Sequence, residues 1–218
     1  MIPFVDLEVD PTLPATVALG LPPEDEIDEE GYGFFRDVWD IGEVSHEEAA
    51  TIVKEERRLA ALVDLAASTP SDFEAIASAL EANDPDCLPA GFAAGHPQSE
   101  IVELVGGGYD AEPLLGSLEL GVAGLSYALT SVGCFTAASC RSHLSHHSWS
   151  ERPIVYFVAE RPTVRWLTLL VRDTGCGFGD GAGHGRLLFV EAPSITNFMD
   201  LADRIVSQVE RREDQGTS

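Results

Sequence analysis

The chain has 218 residues, 44% of them hydrophobic, and 37 acidic against 13 basic side chains give it a formal charge of −24. The hydrophobic share supports a packed core and excludes wholesale disorder, and the length fits one domain or a domain with an extension. So negative a surface opposes phosphate backbones and anionic membranes, and no apolar run reaches the roughly 18 residues that span a bilayer, so neither nucleic acid nor membrane is expected as a direct partner.

The charge is lopsided. Residues 1–120 hold 27 acids and 4 bases, a balance of −23, whereas residues 121–218 hold 10 and 9. The first residues carry no basic stretch of the kind that opens a secretion signal, which predicts a cytoplasmic protein. Cys87, Cys134, Cys140 and Cys176 then read as thiols rather than disulfides.

Residues 1–44 form an acidic, proline-rich segment with Pro3, Pro11, Pro14, Pro22 and Pro23. Residues 45–112 read as a helical region followed by a loop. Ser45 and Glu48 have capping-box spacing, and Ile52, Val53, Leu59, Leu62, Val63 and Ala66 recur at helical intervals. A second helix starts near Thr69 and Pro70 and buries Phe73, Ile76, Ala77 and Leu80. Residues 84–112 read as loop, with 100–105 as a short strand or a turn of helix.

Residues 113–212 read as an α+β domain, ahead of a short tail at 213–218. Leu114, Leu115, Leu118, Val122, Leu125 and Leu129 mark a helix that stops at Gly133. Strands are expected at 134–139, 154–158 and 186–190. A helix opening at Pro162 closes at Gly175, and Ser194 caps a last helix. The order α-β-β-α-β-α predicts a small mixed sheet with helices on at least one face. The glycine-rich stretch 175–185 follows a helix and opens a strand, the reverse of a phosphate-binding loop, and reads as a connection or a lid.

The densest group of chemically capable side chains lies where the first of these strands ends. Cys140 beside Arg141, with His143 near, is a candidate nucleophile–base pair, or else a small cysteine at a strand end. Arg141 is placed either to clamp an anion through its guanidinium fork or to pair with the acidic half. Ser139, Ser142 and Trp149 are further candidate ligand contacts. Cys134, Cys140, His143, His146, His147, Cys176 and His184 carry donors suited to zinc, but Cys-x5-Cys-x2-His is not a recognised ligand spacing, and no metal is assigned; a zinc site, if formed, would draw on Cys140, His143, His147 and Cys176.

The stretch Thr136-Ala137-Ala138-Ser139-Cys140-Arg141-Ser142-His143 resembles the Thr-Thr-Ser-Ser-Cys-Ser-Gly-Arg motif of the wybutosine-synthesising tRNA methyltransferases. Thr136, Ser139 and Cys140 match; Ala137, Ala138, Arg141, Ser142 and His143 depart. It also resembles a Ser-Cys-x-Gly-His signature of uncharacterised bacterial and phage proteins, with Ser142 in place of the glycine. The resemblance covers residues 114–192 and implies a transferase with an S-adenosylmethionine-like ligand. The function expected is a small-molecule pocket, adenosyl- or nucleotide-like, at residues 139–143. The alternative is a non-catalytic acidic factor, such as an immunity, inhibitor or defence-associated protein, acting on a basic protein partner.

Overall fold

The computed structural model describes residues 1–15, 17, 19–20, 43–106, 114–144, 148–181 and 187–216, with side chains as far as 211, together with the backbone of the strand residues at 27–28, 31–32 and 35–36. The architecture is α+β. Three two-residue strands, β1 (Ile27–Asp28), β2 (Gly31–Tyr32) and β3 (Phe35–Arg36), form an antiparallel ribbon in the N-terminal segment. Helices α1 (His46–Ala66) and α2 (Pro70–Ala82) follow, then the short α3 (Phe92–Gly95) and α4 (Glu100–Val105). The second half runs α5 (Ala123–Ser131), β4 (Phe135–Cys140), β5 (Ile154–Val158), α6 (Arg161–Asp173), β6 (Gly177–Asp180), β7 (Leu188–Glu191) and α7 (Ile195–Gly216).

The sheet departs from the expected mixed one. Its order is β4-β5-β7-β6, and every neighbouring pair is antiparallel. The cause is β6, which lies inside the stretch read as a glycine loop. Had α6 alone connected β5 to the last strand, that crossover would have made the two parallel. Instead β6 pairs with β7 as a hairpin, Gly177 opposite Glu191 and Asp180 opposite Leu188, and this reversal lays β7 antiparallel to β5. The ring of Phe189 crosses the space where a Cβ on Gly179 would stand, so the glycine there makes room for a neighbour.

The helix expected from Leu114 onward is shorter than its apolar stripe. Gly116, Ser117 and Gly121 have φ of 61°, 67° and 99°, values that a right-handed helix cannot contain. Leu115 and Leu120 sit in turns, Leu118 lies in the connection between them, and α5 begins at Ala123. Residues 100–105 resolve as helix.

One core lies between the sheet and helices α1, α5, α6 and α7, and includes Val53, Leu125, Val155, Phe157, Leu167, Val190 and Phe198. A second joins α1 and α2 to α4 and to Leu120, Ile195 and Met199. Helix α1 supplies Val53 to the first and Leu59 and Val63 to the second, tying the acidic half to the sheet. A third cluster, with Ala137, Cys140, Ile154, Tyr156, Val158 and Leu187, covers the opposite sheet face.

The N-terminal segment is a strap fixed at several points. Asp64 receives the Met1 ammonium and the Ile2 N–H. Val5 N–H donates to Pro193, Phe178 N–H on the outer strand β6 donates to Asp10, and Gly20 N–H donates to Ala159. Backbone groups along the exposed edge of β6 are thus partly satisfied. Among the described residues no helix is long and apolar enough to cross a membrane.

Candidate functional site

The site forms where β4 leaves the sheet. Pairing with β5 slips between Thr136 and Ala138, a bulge in the strand. Simple alternation would put Cys134 and Cys140 on one face. The bulge separates them, with Cys134 in the helix-side core and Cys140 in the cluster on the opposite face. Cys140 is fully buried, and the chain then turns through Ser142, whose φ of 71° is left-handed. That position is the one where the Ser-Cys-x-Gly-His signature carries glycine.

Arg141 resolves the choice between anion clamp and internal pairing. Its residue is only 3% exposed. Its guanidinium donates to Glu74 at 3.2 and 3.4 Å, to Ser78 Oγ at 3.1 Å, and to Glu81. Its backbone N–H donates to Glu119 at 2.8 Å. Glu74, Ser78 and Glu81 recur on α2 at intervals of four and three, which places all three on one helical face. Glu81 also accepts the Leu120 N–H at 2.7 Å. A buried guanidinium needs such partners, because each unpaired N–H would carry a desolvation cost.

His143 bridges the same acids. Nδ1 lies 2.5 Å from Glu74 and Nε2 lies 2.9 Å from Glu119. Its hydrogen bond with Cys140, then those with Glu119 and Glu74, push its pKa up to about 12, so the ring is an imidazolium at neutral pH. Burial pushes Glu74 and Glu119 up, but the hydrogen bonds from His143 and the charge of Arg141 outweigh it, and both stay below the usual carboxylate range. Ser142 N–H donates to Cys140 Sγ at 3.4 Å, and Ser148 Oγ lies 3.7 Å from the same sulfur.

This geometry constrains the nucleophile–base reading of Cys140 and His143. Both ring nitrogens of His143 hold protons toward carboxylates, which leaves no lone pair to receive one from a thiol. Cys140 also has no solvent-facing surface.

Beside the turn lies a crevice of about 50 Å³. Arg141 and Ser142 border it, and Phe4, Phe73, Leu144 and Ile195 are among its apolar walls. Of the remaining expected site residues, Ser139 pairs with Val155, whose side chain belongs to the helix-side core, so alternation directs Ser139 away from Cys140. Trp149 is 54% exposed and packs near Tyr156 at 6.2 Å between ring centroids, outside the crevice lining. Cys176 sits in the helix-side core, bonded to Thr174 and Asn197, across the sheet from Cys140. His146, His147 and His184 lie outside the described residues. The four cysteines are free thiols.

Sequence reasoning passed over Glu74, Ser78, Glu81 and Glu119. The available signal was the spacing of the first three on α2, hidden among 37 acids. Compared with models of known protein families, with curated proteins and with solved structures, the chain matches none.

Proposed function

We propose that the turn after β4 is a binding site for a small molecule with a short apolar arm and a polar end. The observation that carries this reading is the convergence of Glu74, Glu119, Cys140, Arg141 and His143, from three separated stretches of chain, beside an apolar crevice. Buried polar clusters of this kind are costly as scaffolding, and pockets that combine apolar walls with a few converging polar groups are where ligands bind. The arm seats against Phe73, Leu144 and Ile195, and the polar end meets Ser142 at the wall of the crevice. The crevice, about 50 Å³, is far below the roughly 300–1,000 Å³ that encloses a drug-sized ligand. Only the terminal arm of an adenosyl compound fits within it, with the nucleoside outside.

A thermal-shift screen tests this with S-adenosylmethionine, AMP, and short-chain amines and carboxylic acids as probes. A ligand that binds only the folded protein raises the melting temperature. Leu144 is exposed, so Leu144→Asp folds while placing a charge at the crevice. The expected result is a shift with at least one probe that Leu144→Asp removes. No shift with any probe, or a shift indifferent to Leu144→Asp, overturns the reading.

A second reading, docking on a basic protein, draws on Leu144 and Trp149, both more than half exposed on one loop, in a chain of charge −24. It predicts a captured basic partner that is released by salt and by Trp149→Ser, with no effect of the small-molecule probes.

A further inference from the structure

The cluster also has the composition of a metal centre. We infer that Glu119, Cys140 and His143 bind one zinc-class divalent cation, with Glu74 as the carboxylate that orients His143. The inference rests on the reading above only for where the site lies.

The donor atoms of Glu119, Cys140 and His143 all lie within 4.8 Å of one another. A tetrahedral zinc with bonds of ~2.0 Å to nitrogen and ~2.3 Å to sulfur spaces its ligands roughly 3.3–3.7 Å apart, so the Nε2–carboxylate pair, 2.9 Å apart, opens by a few tenths of an ångström while the wider donor separations close by up to about an ångström. A thiolate, an imidazole and a carboxylate together favour zinc over magnesium or calcium, which take oxygen ligands.

The surrounding shell is that of a metal site. A ligating histidine commonly donates its second N–H to a carboxylate, which fixes the tautomer and the ring. Here Glu74 receives Nδ1 at 2.5 Å and leaves Nε2 directed at Glu119. Cys140 Sγ accepts the Ser142 N–H, the sort of donor that supports a metal-bound thiolate. Glu74 and Glu81 pair with the guanidinium of Arg141, whereas Glu119 meets only its backbone N–H, so Glu119 is the carboxylate left for a cation once His143 gives up its Nε2 proton. Binding displaces two protons, the one that His143 Nε2 shares with Glu119 and the one on the Cys140 thiol, and both are released to solvent.

The centre is open on one side. Cys140 is buried, but the side chains of His143 and Glu119 are 22% and 31% exposed. Three protein ligands with one free position is the pattern of a catalytic rather than a structural zinc. That position takes water or the polar end of the molecule in the adjoining crevice.

The test uses metal-stripped full-length protein. Zn²⁺ is titrated in competition with a chromophoric chelator, and Co²⁺ serves as the spectroscopic substitute. One ion per chain is expected, with a thiolate-to-cobalt charge-transfer band. Cys140→Ser abolishes the band and the tight binding, and Glu74→Gln weakens binding by roughly tenfold to a hundredfold. Cys87→Ser, which removes an exposed thiol elsewhere, changes neither. If Cys140→Ser fails to fold by circular dichroism, Glu119→Gln is used in its place, with weaker binding expected and the band retained but altered. Absence of stoichiometric binding, tight binding that survives Cys140→Ser, or, with the fallback, binding unaffected by Glu119→Gln overturns the inference. Leu144→Asp leaves Zn²⁺ binding intact, so failure of the pocket and failure of the metal site are read separately.

Discussion

His143 Nδ1 sits 2.5 Å from Glu74, a residue 69 positions earlier in the chain. A turn at the end of an edge strand is thereby fastened to the middle of α2, and the neutral second half of the sequence is locked onto the acidic first half. Arg141 makes the same connection two residues earlier through Glu74, Ser78 and Glu81. Part of the acidic excess therefore serves as internal counter-charge.

The magnitude of that connection is testable by comparing two arginines. Arg141→Ala leaves enclosed glutamates without their cation and is expected to cost about 3–5 kcal/mol. Arg57 pairs with Asp200 on the surface, both side chains more than 40% exposed, and Arg57→Ala is expected to cost about 1 kcal/mol or less. Urea denaturation of both variants checks the contrast, and equal effects would show that Arg141 is not enclosed as described.

Ser142 carries a left-handed backbone, φ 71°. Such a conformation costs a non-glycine residue about 1–2 kcal/mol, offset in part by the greater unfolded-state freedom of glycine. Ser142→Gly is expected to stabilise the protein by about 0.5–1 kcal/mol, seen as a higher urea midpoint with an unchanged slope.

Glu56 supplies a pH signature away from the site. It is buried on α1 and accepts the Gly121 N–H at 2.9 Å where α5 begins. Burial raises its pKa from 4.5 to about 7, more than the N–H donors of Gly124, Gly121 and Ala123 lower it. The folded protein thus holds a proton that the unfolded chain has released, and stability falls as pH rises from 4.5 through about 7. Relative to Glu56→Gln, the native protein should lose on the order of 3 kcal/mol across that window and level off above it. A parallel pH dependence of the two proteins would remove the assignment.

His143 acts in a later window. Its folded pKa is raised from 6.5 to about 12, chiefly by Cys140, Glu119 and Glu74, so its stabilising contribution is complete below pH 6.5 and declines as pH rises toward 12. Metal-free protein should show this alkaline decline, and His143→Gln should flatten it. Denaturant midpoints measured in steps from pH 6 upward give the comparison.

Much of the scaffold was legible because its signals are local. Thr69 and Pro70 announce α2, whose capping box is completed by Asp72, and the apolar run 154–158 is β5 residue for residue. What misled was glycine. At Gly116 and Gly121 it breaks an apolar stripe that otherwise reads as one helix, and at Gly177 and Gly179 it stands inside a strand because neighbouring groups occupy the space of a side chain. The cluster was half legible. Cys140, Arg141 and His143 stand together in the chain, but Glu74, Glu81 and Glu119 look like any other acids until tertiary packing brings them to the turn.

The central claim, that α2 and the turn after β4 share one coupled polar site, is tested most directly by a double-mutant cycle between Glu74→Gln and His143→Gln in metal-free protein at neutral pH. The contact predicts a coupling energy of about 1 kcal/mol or more, up to ~3 kcal/mol. Additivity of the two substitutions to within about 0.3 kcal/mol would contradict it.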